Sequence, residues 1–235
     1  MNSIECRSVS CRYGARVVLE SVSFAIPAGE WCVVMGPSAS GKTTLLRAIA
    51  GLEPVSSGEI LIAGRVATNS RIVLAPHERG LGLLFQEPSL WPHLSVRANV
   101  ELGGRDAMAW LERLGAAHLA DKFPSKISGG ERRLAELART LAARPKILLL
   151  DEPTTHLDVH LREGLMRRLR ELHEELGLTT LCVTHEVERW LDSNGRTLVV
   201  EGGRLAHDGP LGGIQGASAY TKALAREASE LSDHP

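Results

Sequence analysis

One segment, Gly36-Pro37-Ser38-Ala39-Ser40-Gly41-Lys42-Thr43-Thr44, constrains this chain more than any other. It follows the apolar run Trp31–Met35 and precedes Thr44-Leu45-Leu46-Arg47-Ala48-Ile49-Ala50, which reads as a helix. The pattern G-x-x-x-x-G-K-[ST] therefore sits between a strand and a helix start, the context its chemistry needs. Gly36 and Gly41 permit backbone angles that a side chain forbids, so successive N–H groups can turn inward around phosphate oxygens. The helix beginning near Lys42 adds its positive dipole end at the same spot. Lys42 supplies a mobile positive charge for the outer phosphates, and the Thr43 hydroxyl can ligate Mg²⁺. A glycine turn with an accidental Lys-Thr is the competing reading, and the flanking strand and helix weigh against it. The chain is expected to bind a nucleoside triphosphate.

A length of 235 residues suits one large domain, or a core domain with a substantial insertion. A net charge of −1 gives no electrostatic reason to expect nucleic acid or an anionic membrane surface as partner. Cys6, Cys11, Cys32 and Cys182 are scattered without a C-x-x-C pair, which suggests a reducing compartment and argues against a zinc site. No apolar run approaches the roughly 20 residues of a membrane span, and the N-terminus has no signal-peptide pattern. Work at a membrane would require other chains to hold this one there.

Strand-like segments open the chain at Ile4–Cys11 and Val17–Ile26, and a turn at Pro27-Ala28-Gly29-Glu30 leads into Trp31–Met35. The helix after the phosphate loop is predicted to end near Gly51, with strands following at Glu59–Ile62 and Gly82–Phe85. From Glu87 to about Ala143 proline-broken turns separate helical stretches such as Asp106–Leu114 and Glu131–Ala142. Alternation then resumes through Ile147–Leu150, Val159–Leu176, Thr179–Val183, Val187–Leu191 and Thr197–Val200, and Ala217–Leu231 reads as an Ala-rich tail helix. Fully apolar strands followed by amphipathic helices indicate a mostly parallel sheet covered on both faces. The expected fold class is α/β. A single domain spans 1–235, with a mostly helical insertion at 87–143 between two halves of the core.

Ile147-Leu148-Leu149-Leu150-Asp151-Glu152 is a buried strand ending in two carboxylates. Many strands end this way at a turn. Downstream of a phosphate loop, Asp151 can reach Mg²⁺ through water and Glu152 can polarise a water against the γ-phosphate. His185 follows the next strand, where a lone histidine is most often structural, but the carboxyl ends of parallel strands also line ligand crevices. Ile127-Ser128-Gly129-Gly130-Glu131 opens a helix, with Ser128 placed to cap and two glycines that let the backbone approach closely. It is either a plain helix cap or a second anion site. One phosphate loop already serves one triphosphate, so a second site would serve a neighbouring subunit's nucleotide.

Taken in order, these segments resemble the nucleotide-binding subunit of an ATP-binding cassette (ABC) transporter over nearly the full length. Residues 36–44 match Walker A, Gln86 in Leu84-Phe85-Gln86-Glu87 the Q-loop, and Ser128-Gly129-Gly130-Glu131 the signature. Leu150-Asp151-Glu152-Pro153 matches Walker B, Thr155-His156-Leu157-Asp158 the D-loop, and Val183-Thr184-His185-Glu186 the switch histidine. Tyr13 matches the aromatic residue on which the family stacks adenine. The resemblance implies a P-loop NTPase core with an N-terminal antiparallel β subdomain and a helical insertion subdomain. It also implies two chains, identical or paralogous, facing head to tail with ATP between the loop of one and the signature of the other. Thr43 and Gln86 would ligate Mg²⁺ directly and Asp151 through water. Glu152 would act as base, His185 would brace the γ-phosphate, and Asp158 would communicate across the interface. Two departures stand out: Glu131 where the family most often has Gln, and Leu134 where many members have Arg, with Arg133 beside it. Neither removes a phosphate donor, so an active ATPase is expected.

Pro76-His77-Glu78-Arg79-Gly80-Leu81-Gly82 and Trp91-Pro92-His93-Leu94-Ser95-Val96 look most like bacterial importers of polyamines, sugars, sulfate, molybdate or ferric iron. Asp151–Asp158 is also frequent in siderophore and cobalamin importers. Many of the first group carry an extra C-terminal β-domain, for which this length leaves no room. Residues Pro88–Val96 resemble the surface that receives a membrane subunit's coupling helix. Leu90 and Trp91 would be exposed contacts, with packing inside the insertion as the equal alternative for Trp91. The expected partners are integral membrane subunits and a solute-binding protein, at the cytoplasmic face of the cell membrane, with no nucleic acid. An exporter, a lipoprotein-release ATPase, or a soluble ABC protein of translation or DNA repair are the competing readings.

Overall fold

Alternating apolar positions make the N-terminal segments pair as strands, while unbroken apolar runs are buried on both faces. The computed structural model describes residues 2–155, 157–185, 196–216 and 218–232, with side chains to 226. In chain order the elements are β1 (Asn2–Tyr13), β2 (Arg16–Pro27), β3 (Trp31–Met35), α1 (Lys42–Ala50), β4 (Ser57–Ile62) and β5 (Arg65–Thr68). Then come β6 (Leu81–Leu84), α2 (Val96–Glu101), α3 (Ala107–Arg113), α4 (Gly129–Ala142), β7 (Ile147–Asp151) and α5 (Val159–Leu176). The chain closes with β8 (Thr179–Val183), β9 (Arg196–Glu201), β10 (Arg204–Pro210) and α6 (Ala219–Ser232).

Two compact units result: Met1–Arg79 with Thr179–Pro235, and Gly80–Leu178. In the first, an antiparallel sheet runs in the order β2-β1-β4-β5. A second set of strands runs β10-β9-β3-β8, with β3 parallel to both neighbours and β10 antiparallel to β9. Cys32–Met35 and Leu181–Val183 are at most 2% exposed, which fixes where both strands end. Leu45, Leu46 and Ile49 on α1 are equally buried. In the second unit β6 and β7 pair in parallel, from Leu81 opposite Ile147 to Leu84 opposite Leu150. Helices α2 and α3 pack on α4, burying Val96, Val100, Trp110, Leu111, Leu137 and Leu141. Helix α5 buries Leu165, Met166, Leu169 and Leu172 at helical spacing.

The expected α/β class with an antiparallel N-terminal sheet and mostly parallel strands beyond it is what the chain adopts. The strands β5 and β10 went unread because each is a short, half-exposed hairpin partner with little apolar alternation. Helix α4 begins at Gly129, two residues before the predicted start, because Ser128 caps it from outside. The segment Val187–Leu191 lies outside the described residues, as do His156 and Glu186 of the quoted motifs. Among the described residues, no helix is long and apolar enough to cross a membrane.

Candidate functional site

In the first unit the phosphate loop leaves β3 and runs straight into α1. A Cβ on Gly36 would lie 2.1 Å from the Val200 carbonyl oxygen on β9, and one on Gly41 would lie 2.6 Å from Leu19 Cδ2 on β2. Both glycines therefore answer to close backbone approach as well as to their positive φ of 154° and 106°. Between them Ala39 also holds a left-handed φ of 60°, a conformation that strains an L side chain. Helix α1 starts with Gly41 as its N-cap, with no capping side chain and no acidic residue in its first turn. Lys42, buried to 8% exposure, folds back so that Nζ donates to the Gly36 and Pro37 carbonyls at 2.8 and 2.9 Å. Ser40 Oγ is buried inside the loop with no hydrogen-bond partner among the described residues. An uncapped helix start, an inward lysine and an orphaned hydroxyl together fit an anion with several oxygens.

The other predicted residues of this unit sit close in the topology. Val183 on β8 is in register with Val34 on β3, and the Thr184 N–H donates to the Val34 carbonyl at 3.1 Å. His185, exposed, thus leaves the carboxyl end of the strand beside the one that feeds the loop. Thr43 and Thr44 are half-buried on α1. Tyr13 ends β1, 48% exposed, with Glu53 and Thr44 within hydrogen-bonding reach of its phenol.

In the second unit β6 and β7 deliver their carboxyl ends side by side. Asp151 closes β7 at 1% exposure. Glu152, the next residue, has φ 45°. Its Oε2 accepts from Gln86 Nε2 at 3.1 Å and from Thr155 Oγ1 at 2.9 Å. Ser128 caps α4: its Oγ accepts from the Glu131 N–H at 3.2 Å, while Glu131 Oε2 accepts from the Ser128 N–H at 2.7 Å. That backbone hydrogen bond, more than the side-chain one, holds the Glu131 carboxyl below its ordinary range. Gly130, in the first turn, faces α5, where a Cβ would lie 2.8 Å from Leu161 Cδ1. Asp158 caps α5 through Oδ1, which accepts from the Leu161 N–H at 3.0 Å. Leu90 is half-buried rather than exposed, whereas Trp91 is 51% exposed.

Sequence reasoning passed over Thr155 as a partner of Glu152, and Arg133, whose Nε donates to the Pro153 carbonyl at 2.9 Å. The cue available for Arg133 was its place beside Leu134, where many members of the family have Arg.

A sequence profile described as ABC transporter matches residues 19–155. The chain belongs to the ABC transporter family. Among its ABC relatives, the Fe(3+) ions import ATP-binding protein FbpC of Streptomyces avermitilis is 39% identical over 217 residues, covering 88% of this chain and 62% of that protein. The sulfate/thiosulfate import ATP-binding protein CysA of Salmonella typhimurium is 41% identical over 218 residues, covering 86% and 59%. The chain thus spans less than two thirds of the length of these curated relatives. Among solved ABC structures, the dimeric post-hydrolysis state of the ATP-binding cassette MJ0796 bound to ADP and Pi superposes with a TM-score of 0.78 at 30% identity, covering 88% of this chain and 98% of that one. The ATP-binding cassette MJ1267 shares the fold with a TM-score of 0.80 at 24% identity, covering 89% and 92%.

Proposed function

We propose that this chain is the ATP-hydrolysing subunit of an ABC transporter, powering solute import through partner membrane subunits. The phosphate loop carries the reading, because the start of α1, with no acidic residue in its first turn, and the inward Lys42 both supply positive potential. The loop amides of Gly36, Ser38, Ala39, Ser40, Gly41 and Lys42 hold the β- and γ-phosphates, with Pro37 and Thr44 lining the same nucleotide site and Tyr13 under the adenine. Lys42 keeps its place by exchanging carbonyl oxygens for phosphate oxygens.

Thr43 and Gln86 would hold Mg²⁺, with Asp151 behind a water, and bound there it would offset the negative charge of the phosphates. Glu152 acts as the base. Its Oε2 is engaged by Gln86 and Thr155, which holds the carboxylate in place for the work of activating a water. His185 braces that water and the γ-phosphate. Ser128, Gly129, Gly130 and Glu131 of a second subunit, at the start of its α4, close over the same nucleotide, and Asp158 signals across the interface. The cassette is one domain over 1–235, with 87–143 as its helical insertion, in a homodimer or a heterodimer with another ABC subunit.

The relatives at about 40% identity are import ATP-binding proteins, which supports import. A solute-binding protein as further partner and a position on the cytoplasmic face of the membrane belong to the same reading. Trp91 and its neighbours in Pro88–Val96 offer the docking surface for a membrane subunit. The decisive test is Glu152→Gln. It should bind ATP at wild-type affinity, lose hydrolysis by 100-fold or more, and run as an ATP-dependent dimer. Normal turnover would remove Glu152 from its role. The same variant, tagged and recovered with ATP from detergent-solubilised native membranes, should carry a polytopic partner; ribosomes in its place would overturn transport.

A further inference from the structure

Arg133 and Glu136 form an ion pair at 3.1 Å on α4, with side chains only 7% and 2% exposed. Burying two charges costs more than such a pair usually returns, and apolar residues of similar volume would often be as stable. What the pair touches is therefore more telling than its energy. The Arg133 guanidinium donates to the carbonyls of Glu152 at 3.1 Å and Pro153 at 2.9 Å, which flank the turn after β7. The same group donates to the Phe85 carbonyl and lies 3.5 Å from that of Gln86, so one planar fork spans the ends of β6 and β7.

Glu136 extends the chain of contacts outward. Its Oε2 faces Arg133, and its Oε1 accepts from the Ser89 N–H. Arg139, one turn further along α4, donates to the Ser89 carbonyl at 2.9 Å. Beyond Ser89, the side chain of Asn99, 0% exposed, accepts from the Trp91 N–H at 2.7 Å and donates to the Trp91, Leu94 and Ser95 carbonyls. Hydrogen bonds thus run without a break from Ser89 through Glu136 and Arg133 to the backbone of Glu152. At the far end, Glu152 sits at a φ of 45°, which a residue with a side chain holds only when its surroundings impose it.

We infer that Arg133 is a positioning residue, with Glu136 its link to Ser89, coupling the surface segment after Gln86 to the carboxylate of Glu152. The inference rests on Glu152 being the base of the proposed ATPase. Displacement of Ser89 by a docked partner shifts Glu136, and Arg133 passes the shift to both strand ends at once. Phosphate binding by the loop residues themselves is expected to be unaffected.

The test compares Arg133→Lys and Glu136→Gln with the wild type, using ATPase kinetics, affinity for a fluorescent ATP analogue, and hydrogen exchange of peptides covering 85–92 and 151–157. Lysine keeps the charge but loses the fork. Arg133→Lys should lower kcat 10-fold or more with analogue affinity within 2-fold, and should speed exchange in both peptides. Glu136→Gln should speed exchange in 85–92 and lower kcat by a smaller factor. Wild-type kcat together with wild-type exchange at 151–157 in Arg133→Lys would overturn the inference. Should Arg133→Lys fail to fold, the isosteric Glu136→Gln decides alone: wild-type exchange at 85–92 and wild-type kcat overturn the link. A wild type that binds the analogue but does not hydrolyse ATP would sink the ATPase reading instead, and the exchange data would still judge the coupling.

Discussion

Gln86 and Glu152 meet through a single hydrogen bond, Nε2 to Oε2 at 3.1 Å, across the carboxyl ends of two paired strands. The amide holds one carboxylate oxygen and leaves its own carbonyl oxygen for another ligand, since an amide carries both a donor and an acceptor. Gln86→Leu removes both functions at once. We expect its ATPase rate to fall at least 10-fold. Affinity for ATP in EDTA should match the wild type, whereas the gain in affinity on adding Mg²⁺ should shrink. Titration of a fluorescent analogue with and without the metal reads the two effects separately, and an unchanged Mg²⁺ gain would exclude Gln86 as a ligand.

Ala39 sits in the phosphate loop at a φ of 60°. The left-handed region costs an L residue roughly 1–2 kcal/mol. Glycine escapes that strain but adds about 0.4–1 kcal/mol of unfolded-chain entropy. Ala39→Gly should therefore raise stability by about 0.5 kcal/mol in urea unfolding. Ala39→Val, branched at Cβ, should lower it by about 1–2 kcal/mol and weaken triphosphate binding in proportion. A neutral valine would mean that the loop relaxes out of this conformation.

What could be read from the sequence was local. The phosphate loop, the Ser128 cap, and the apolar strands β3, β7 and β8 each announce themselves within a few residues, because their causes lie in adjacent backbone geometry. The partners of Glu152 did not, since Gln86 lies 66 positions away and reaches it only when β6 pairs with β7. Arg133 looked like any charged residue near a helix start. Its burial comes from the Phe85, Glu152 and Pro153 carbonyls, which no periodicity within α4 could reveal. Ala39 was read only as part of the motif, because a positive φ at a non-glycine residue leaves no mark in composition. The β5 and β10 hairpins were lost for the opposite reason, being half-exposed and weakly patterned in sequence.

Glu131 and Ser128 satisfy each other's backbone amides at the start of α4. The Ser128 amide holds the Glu131 carboxyl below its ordinary range, and His118 faces it at 3.5 Å. A carboxylate whose folded pKa is depressed adds stability above its unfolded value of about 4.3 and loses it as pH falls through the folded value. Glutamine can accept the same hydrogen bond without the charge. Wild type should therefore be the more stable of the pair at pH 6, and the difference from Glu131→Gln should fall away as the pH drops through the depressed folded value. Ser128→Ala should cost about 1 kcal/mol at neutral pH. Urea midpoints across the pH range give both, and a pH-independent gap between wild type and Glu131→Gln would place the effect elsewhere.

Arg79, 5% exposed, holds the other end of the phosphate-loop helix. Its Nη1 donates to the Ala48 and Ile49 carbonyls at 3.1 and 2.8 Å, in the last turn of α1, where the helix dipole is negative. Its Nη2 donates to Thr68 Oγ1 at 2.7 Å, and Nε to the Leu74 carbonyl at 3.1 Å. Burial lowers its pKa, yet a guanidinium stays charged well above neutral pH, so these carbonyls always face a cation. Arg79→Met strands several buried acceptors at once, each worth about 1–3 kcal/mol when left unpaired. Partial hydration should limit the loss to about 3 kcal/mol, seen as a lower urea midpoint at unchanged slope. Gly51 supplies an independent check, because a Cβ there would lie 2.5 Å from Arg79 Nε at a φ of 81°. Gly51→Ala should destabilise the wild type by about 1–2 kcal/mol from strain and from displacement of the guanidinium. In the Arg79→Met background the displacement part is already gone, so the second substitution should cost less. Additive losses would mean that Gly51 serves only the backbone and not the arginine.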